Sequence, residues 1–440
     1  MTMSTMGEHI DYLISGPPFD ITFSPVDQVT PPVYSRRVLI FSRDDAGQEQ
    51  ASRALRMGLQ RTVDEIPILA GQMGYSPAGW TVKKGQARLR IKVVDISFAE
   101  LEAANFSESM LPADKLSSVP ALADPQSEWH ACRIQANFIR GGLLLVVSIN
   151  HTTMDGYGIT KVIEALARNC RVEIGGTPSN NFILDRSVFP DSTVAPDTTR
   201  LASYSIVHGT PNLGPLSSRV ITASFKLPVQ ALASLKQAAS PVEGWITTHD
   251  AVNALCWRAH ARGRFKAGLI SNQNTARFAF PVDFRRLTSP PLPAQYLGNA
   301  VLMNKVELSV KELLAPNGLS QAAAAIRSGV REVDAGYVEN FIAVAKSLEA
   351  PGQLKINLKL QDRSTAFGST SYKSFAHNTI DWDPALGRFE RMRLSAGVTG
   401  EGMSIIMPIL KDGSWEVTVT VEEKLYEAFK NDEEWLQYTS

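Results

Sequence analysis

Apolar and polar positions along this chain repeat with two periods, near two and near 3.6 residues, so strands and helices follow one another. Ser35–Phe41 reads as a strand. Ala51, Leu55, Leu59 and Val63 then recur at helical spacing, and Pro67 stops that helix. Leu89, Ile91 and Val93 alternate as a half-buried strand should, and so do Ile134, Ala136 and Phe138. Arg140-Gly141-Gly142 predicts a turn into the apolar run Leu143–Val147, which continues through Ser148 and Ile149 to Asn150 and His151. Past Asp155, the set Ile159, Val162, Ile163, Leu166 and Cys170 marks one face of a helix.

From about Gly175 to Ser218 the pattern lapses. Pro178, Pro190, Pro196, Pro211 and Pro215 lie among Ser, Thr, Asn and Asp, which predicts an irregular crossover between domains. Periodicity returns with Ile221, Ala223, Phe225 and Leu227. A helix begins near Thr247, with an apolar face of Val252, Leu255, Cys256 and Ala259 and with Thr247 and Asp250 spaced as a capping box. Strands follow at Ala276–Val282 and Ala300–Leu308, then a helical stretch from Ser320 to about Leu348, broken near Gly336. Strands at Met403–Ile409 and Trp415–Val421 and a short helix close the chain. Strands alternating with helices in both halves predict an α/β protein of two domains, each a mixed β-sheet flanked by helices. Its 440 residues exceed one ordinary core. The expected division is 1–180 for the first domain, 181–217 for the crossover and 218–440 for the second.

Charge and cysteine content narrow the class. Forty-four basic and 44 acidic residues cancel, removing the positive excess that a nucleic-acid binder or a basic membrane-surface protein needs. Cys132, Cys170 and Cys256 are far apart and form no CxxC pair, so neither a disulfide framework nor a zinc site is expected. Met1–Phe19 lacks the basic segment and apolar core of a secretory signal. The longest apolar run, Leu143–Val147, falls far short of the roughly 20 residues of a membrane helix. A cytoplasmic protein without membrane contact is the expectation.

Candidate chemistry concentrates where the apolar run ends. An imidazole delivered by a rigid strand is held in place for general-base work. The plain alternative for His151 is an interior histidine satisfied at a strand end. The pattern His-x-x-x-Asp also fits His377 and Asp381, yet no apolar strand ends at His377 and no glycine follows Asp381. A structural or surface role suits His377 better. Gly156 would let the chain turn sharply after Asp155, and Asp155 itself suits a structural pairing with a basic group better than a second base. Asp283-Phe284-Arg285-Arg286, followed by Tyr296-Leu297-Gly298-Asn299, places adjacent arginines where they could pair buried carboxylates. Asp381-Trp382-Asp383-Pro384-Ala385-Leu386-Gly387 is a turn-rich loop without a nucleophile. No GxSxG elbow, Walker loop, HExxH or GxGxxG occurs.

Five stretches, in order, resemble the BAHD acyltransferases, the CoA-dependent O- and N-acyltransferases of plants and fungi. Ser24-Pro25-Val26-Asp27-Gln28 is similar to that family's S-P-x-D, and Ile68–Gln72 to its P-x-L-A-G-R. His151–Gly156 is similar to its HxxxDG, Thr248–Arg258 to its S-x-x-D-A-x-x-A-x-x-W-R, and Asp283–Asn299 to its V-D-x-R block. Asp381–Gly387 stands where the family has DFGWG, in a form that looks more fungal than plant. The chain departs from the pattern at Leu287, where the second arginine of V-D-x-R-x-R would fall, so the partner of Asp155 is open between Arg285 and Arg286. Tyr372 stands where a Trp is common, Asp383 replaces the motif's first Gly, and Asn150 stands where many condensation-type relatives have a histidine.

The resemblance implies two chloramphenicol-acetyltransferase-like domains with a channel between them and His151 at its middle. Acyl-CoA is the implied co-substrate, with no bound cofactor and no metal. The partner is a small-molecule acceptor, a specialised metabolite bearing a hydroxyl or amine, and the enzyme is a monomer. His151 is the implied base. Asp155, Gly156, Arg285 and Asp381 support the site, and Tyr372, Asp383 and Asn299 contact substrate. The oxyanion donor stays open between the backbone near Gly156 and the Asp381–Gly387 side. A condensation enzyme, a CoA-independent isomerase or cyclase of the same fold, and a non-catalytic binding protein are the alternatives.

Overall fold

The computed structural model describes residues 9–76, 79–119, 128–171, 181–189, 193–207, 219–356, 365–395 and 400–439. The N-terminal eight residues lie outside that set, as do Pro178, Pro190, Pro211 and Pro215 of the expected crossover.

The first half of the chain supplies strands β1 (His9–Ile14), β2 (Tyr34–Ser42), β3 (Ala87–Ser97), β4 (Cys132–Arg140) and β5 (Gly142–Asn150). The second half supplies β6 (Val220–Leu227), β7 (Thr275–Asp283), β8 (Val301–Ser309), β9 (Ala366–Ser371), β10 (Arg388–Leu394), β11 (Met403–Ile406) and β12 (Trp415–Glu422). They form two six-stranded mixed sheets, β1-β3-β4-β5-β2-β10 and β6-β12-β11-β9-β7-β8. Only β3–β4 is parallel in the first, while β9 runs parallel to both its neighbours in the second.

Every residue of β5 is buried, because the first sheet is covered on both faces. On one face Leu143, Leu145 and Val147 join a core with α2 (Gln48–Glu65) and α3 (Gly156–Arg171). On the other, Leu144 and Val146 pack with Leu101, Phe106, Leu111 and Leu116. The same double cover buries β4 on both faces, where alternation alone predicts one. A Cβ on Gly58 of α2 would overlap the Cys170 sulfur of α3, so the two helices approach at a glycine.

Among the described residues, one strand crosses the division expected at 181–217. Strand β10, from the second half, adds to the free edge of β2 in the first sheet. Its anchor is aromatic: Phe389 and Trp382 meet Phe41 edge-on, with ring centroids 5.5 and 5.3 Å away. The crossover is also less irregular than expected, since Tyr204–Ile206 pairs with Leu354–Ile356. The capping box at Thr247 and Asp250 is present. The long helical stretch breaks two residues before Gly336: Asp334 caps the second helix with its carboxylate.

A buried charge cluster joins the sheets. Arg393 of β10 makes a two-pronged contact with Glu416 of β12 at 2.9 and 3.0 Å, and all of it is hidden from solvent. The same guanidinium donates to the carbonyls of Asn105 and Phe106, whose φ angles of 50° and 55° are left-handed. Such backbone persists only where its surroundings hold it. Nearby, Glu108 accepts from Ser224 of β6 at 2.6 Å; burial pushes its pKa up, against the pull of Arg393. Arg393→Met leaves Glu416 with only the part-exposed Arg391, 2.8 Å away, and should lower unfolding free energy by roughly 1.5–3 kcal/mol. Urea denaturation measures it, and a loss below about 1 kcal/mol would show that the cluster does not brace the sheets.

Candidate active site

Strand β5 ends at Asn150, and the next five residues are tied down one by one. The Asn150 carbonyl accepts from the Thr153 N–H at 3.0 Å and the Thr153 hydroxyl at 2.6 Å. Its side-chain oxygen accepts from the Thr152 N–H at 3.0 Å. The His151 N–H donates to the Val33 carbonyl at 2.8 Å, just ahead of β2. Thr152, Thr153, Met154 and Asp155 are fully buried, while His151 keeps partial exposure. The loop is rigid, and its histidine faces the accessible side.

Asp155 caps α3 and binds the other half of the chain with one carboxylate. Oδ1 accepts the N–H groups of Tyr157 and Gly158, each at 3.1 Å. Oδ2 accepts the Ala300 N–H at 2.9 Å and lies 2.8 Å from Arg285 Nη1. Arg285 also donates to Oδ1 at 3.0 Å and to the Gly298 carbonyl at 2.9 Å. Burial pushes the Asp155 pKa up, but the Arg285 charge and these hydrogen bonds outweigh it and hold the carboxyl below its ordinary value. Arg286 is exposed, so the geometric partner is Arg285.

The Ser-Pro-Val-Asp stretch opens the short helix α1 (Pro25–Val29) with a capping box in which Ser24 and Asp27 bond each other. Asp27 then accepts the Asn299 backbone N–H at 3.1 Å and its side-chain amide at 2.9 Å. The second hydrogen of that amide goes to the Thr152 carbonyl at 3.0 Å. Asn299 is therefore a fully buried tie between three segments, which corrects its expected role as a substrate contact. Arg186 adds a further hold, lying 3.4 Å from Asp27 and donating to the Thr153 carbonyl at 2.7 Å.

The His151 ring sits in opposed fields. Burial lowers its pKa, Asp155 raises it, its own carbonyl and the Asn299 side chain raise it, and Arg37 lowers it. The net direction is down, so the neutral ring persists below the usual histidine range. Nδ1 is buried and closes no hydrogen bond of ordinary geometry with another residue, which leaves Nε2 for substrate.

Arg37 and His377 belong to this site and were not read from the sequence as functional residues. Arg37 of β2 is fully buried and donates to the Gly156 carbonyl at 2.9 Å and the Thr160 hydroxyl at 2.7 Å. His377 Nε2 lies 2.9 Å from Arg37 Nη1; the ring is fully buried, not on the surface. The available signal was a pair of arginines inside a strand whose neighbours are otherwise apolar. Tyr372 does reach this cluster, with its ring 4.8 Å from the Arg37 guanidinium and stacked on Phe375. Phe375 in turn would lie 3.4 Å from a Cβ placed on Gly156.

Asp381 and Asp383 do not reach it. Asp381 is exposed and pairs with Arg171, the last residue of α3, roughly 20 Å along the helix from Gly156. Asp383 caps the turn Pro384–Leu386 by accepting the Ala385 N–H at 2.8 Å, and that turn packs on α2. The loop's Trp382 and Leu386 complete the first core rather than the site.

Residues 17–436 match the model of the Transferase family. The chain belongs to that family, whose BAHD motifs it carries. Among curated proteins it is 30% identical to the enoyl-CoA isomerase/hydratase claC of Penicillium crustosum, over 98% of this chain and 52% of that protein. The chain thus spans about half the length of that relative. It is 25% identical to the acetyltransferase FGR3 of Gibberella zeae, over 94% of this chain and 88% of the other. Among solved structures, TRI101 of F. graminearum with coenzyme A and deoxynivalenol superposes with a TM-score of 0.85 at 20% identity. That match covers 96% of this chain and 99% of the other, and shows the two-domain fold.

Asp155→Asn should lose both stability and activity, because buried Arg285 would keep only the half-exposed Asp283, 3.2 Å away, as counter-charge; the loss should stay under the roughly 3–5 kcal/mol of a fully stranded buried charge. Arg286→Ala should change neither. A thermal melt of Asp155→Asn that overlays the wild type would show Asp155 acting on chemistry alone.

Proposed function

We propose that this chain transfers an acyl group from an acyl-CoA thioester to a hydroxyl or amine of a small specialised metabolite, with His151 as general base and no acyl-enzyme intermediate. One observation carries the reading. Asp155 is wholly committed to Arg285, Ala300 and the cap of α3, so His151 alone of the HxxxD pair has a nitrogen free for substrate.

His151 Nε2 takes the proton of the acceptor O–H or N–H as the freed lone pair attacks the thioester carbonyl. The tetrahedral oxyanion then collapses, the C–S bond breaks, and the imidazolium returns the proton to the departing CoA sulfur. The Asp381–Gly387 loop lies at the far end of α3, which supports the backbone near Gly156 as the oxyanion donor. On the acceptor side, Phe375 of the C-terminal loop approaches Gly156, and Tyr372 stacks on Phe375 and faces Arg37. TRI101 is complexed with coenzyme A and deoxynivalenol, which supports the pairing of CoA with a small molecule here.

No helix among the described residues is long and apolar enough to cross a membrane, and the three cysteines are free and buried. Free buried cysteines suit a reducing compartment, and we propose a monomer in the cytoplasm.

His151→Ala should lower turnover by on the order of 10²–10⁴ with an unchanged melting temperature. In the wild type the acid-side decline should fall below pH ~6.5, the ordinary histidine value, since the base stays neutral to lower pH. A panel of acyl-CoA donors with candidate acceptors, read by mass spectrometry, tests the reaction class. Product formed without any acyl-CoA, or unimpaired turnover by His151→Ala, would refute it.

The loop geometry separates two residues that sequence treats alike. Tyr372→Ala should change the ranking of acceptors, whereas Asp383→Ala should leave it as it is. Competition between two acceptors at fixed donor measures this, and an effect of Asp383 equal to that of Tyr372 would contradict the assignment.

A further inference from the structure

Arg37 carries a charge that the reaction above does not use. It is buried in mid-strand, and among the described residues no carboxylate pairs with it. Each of its partners is neutral: the Gly156 carbonyl, the Thr160 hydroxyl, the His377 ring and the faces of Tyr372 and Phe375, 4.8 and 5.4 Å away. His377 accepts from the guanidinium with Nε2, and burial together with the Arg37 charge keeps that ring uncharged. A glutamate there would bond the guanidinium and cancel its field; a neutral histidine bonds it and leaves the field in place. Buried guanidinium groups are ordinarily matched with carboxylates, as Arg285 and Arg393 are in this chain.

We propose that Arg37 is a positioning residue of His151: it fixes the first carbonyl of α3, and its uncancelled charge adds to burial in favouring the neutral, proton-accepting imidazole. The inference rests on His151 being the general base. The groups facing His151 are few. From its own loop comes Asp155, which favours the protonated ring and is itself held by Arg285. From the Tyr296–Asn299 segment comes Asn299, which also favours it. From β2 comes Arg37, the charge that opposes protonation. Without Arg37, burial alone would oppose the Asp155 carboxylate, and the ring would hold its proton to higher pH. The bonds to Gly156 and Thr160 link that charge to the start of α3, so the field and the loop geometry are set by one side chain.

The test is an NMR titration of the His151 ring in the full chain without substrate, its signal assigned by its loss in His151→Ala. Arg37→Met should move the His151 titration to higher pH by about 0.5–1 unit, while Arg37→Lys, which keeps the charge, should stay near wild type. His377→Glu keeps Arg37 but sets a carboxylate against it, and should move the titration up as Arg37→Met does; His377→Gln should not. The acid limb of kcat/KM should follow each titration, which a merely structural role would not produce. An unmoved titration in Arg37→Met, or in His377→Glu should Arg37→Met not fold, overturns the proposal, and so does a shift in Arg37→Lys as large as in Arg37→Met. The titration needs no turnover, so a shift seen in a protein that transfers no acyl group would refute the assigned reaction and not the electrostatic coupling.

Discussion

A carboxylate with no solvent exposure, Asp155, faces a guanidinium from the other half of the chain at 2.8 Å, and much of the molecule is arranged around that contact. Desolvating both ions is expensive, and a bare pair rarely recovers it. Here the carboxylate is also bonded by the first turn of α3 and by Ala300, so its lone pairs are filled from three directions. The consequence is positional. With Asp155 pinned, the four residues between it and β5 have almost no freedom, and the imidazole is placed by scaffold rather than by a mobile loop.

The same economy recurs at the two other joins. Asp27 bonds Asn299 and lies beside Arg186, and Glu416 grips Arg393 between the sheets. None of these contacts is a surface ion pair, whose worth would be slight. Each is buried, each links elements that share no sheet, and each is geometrically exacting, so a shifted docking of the two sheets would strand a charge. Apolar contacts such as Phe41 with Trp382 supply attraction without that selectivity.

What the sequence revealed follows from how local each signal was. The buried strand before His151, the helix after Asp155 and the capping box at Thr247 are written in residues within a few positions of each other, and all three are present. Strand β10 was not legible, because Arg388–Leu394 mixes charged and apolar residues and its partner β2 lies some 350 positions away. The site divides in the same way. His151, Asp155, Gly156 and Arg285 come together as motif order implies. His377 was set aside for want of a strand beside it, yet tertiary packing places it on Arg37. Asp381 and Asp383 were carried in by their motif, but this chain turns that loop toward α2 and the end of α3. A motif fixes where a loop leaves the fold; the side chains it meets are a non-local matter.

The division of labour between the one acid and two arginines around His151 follows from their degree of pairing. A base must be neutral at rest and accept a proton only when substrate offers one, so the fields on it must nearly balance. Asp155 alone would tilt the ring toward the charged form. Its charge is blunted by Arg285 and further offset by Arg37, which faces only neutral groups. As the proton moves, positive charge appears on the imidazole and negative charge on the former carbonyl oxygen. Asp155 then favours the first, and the backbone near Gly156 the second. Because the hydrogen bonds to Asp155 are formed before substrate arrives, the site can stabilise charge separation without itself reorganising, which is where electrostatic catalysis is most effective.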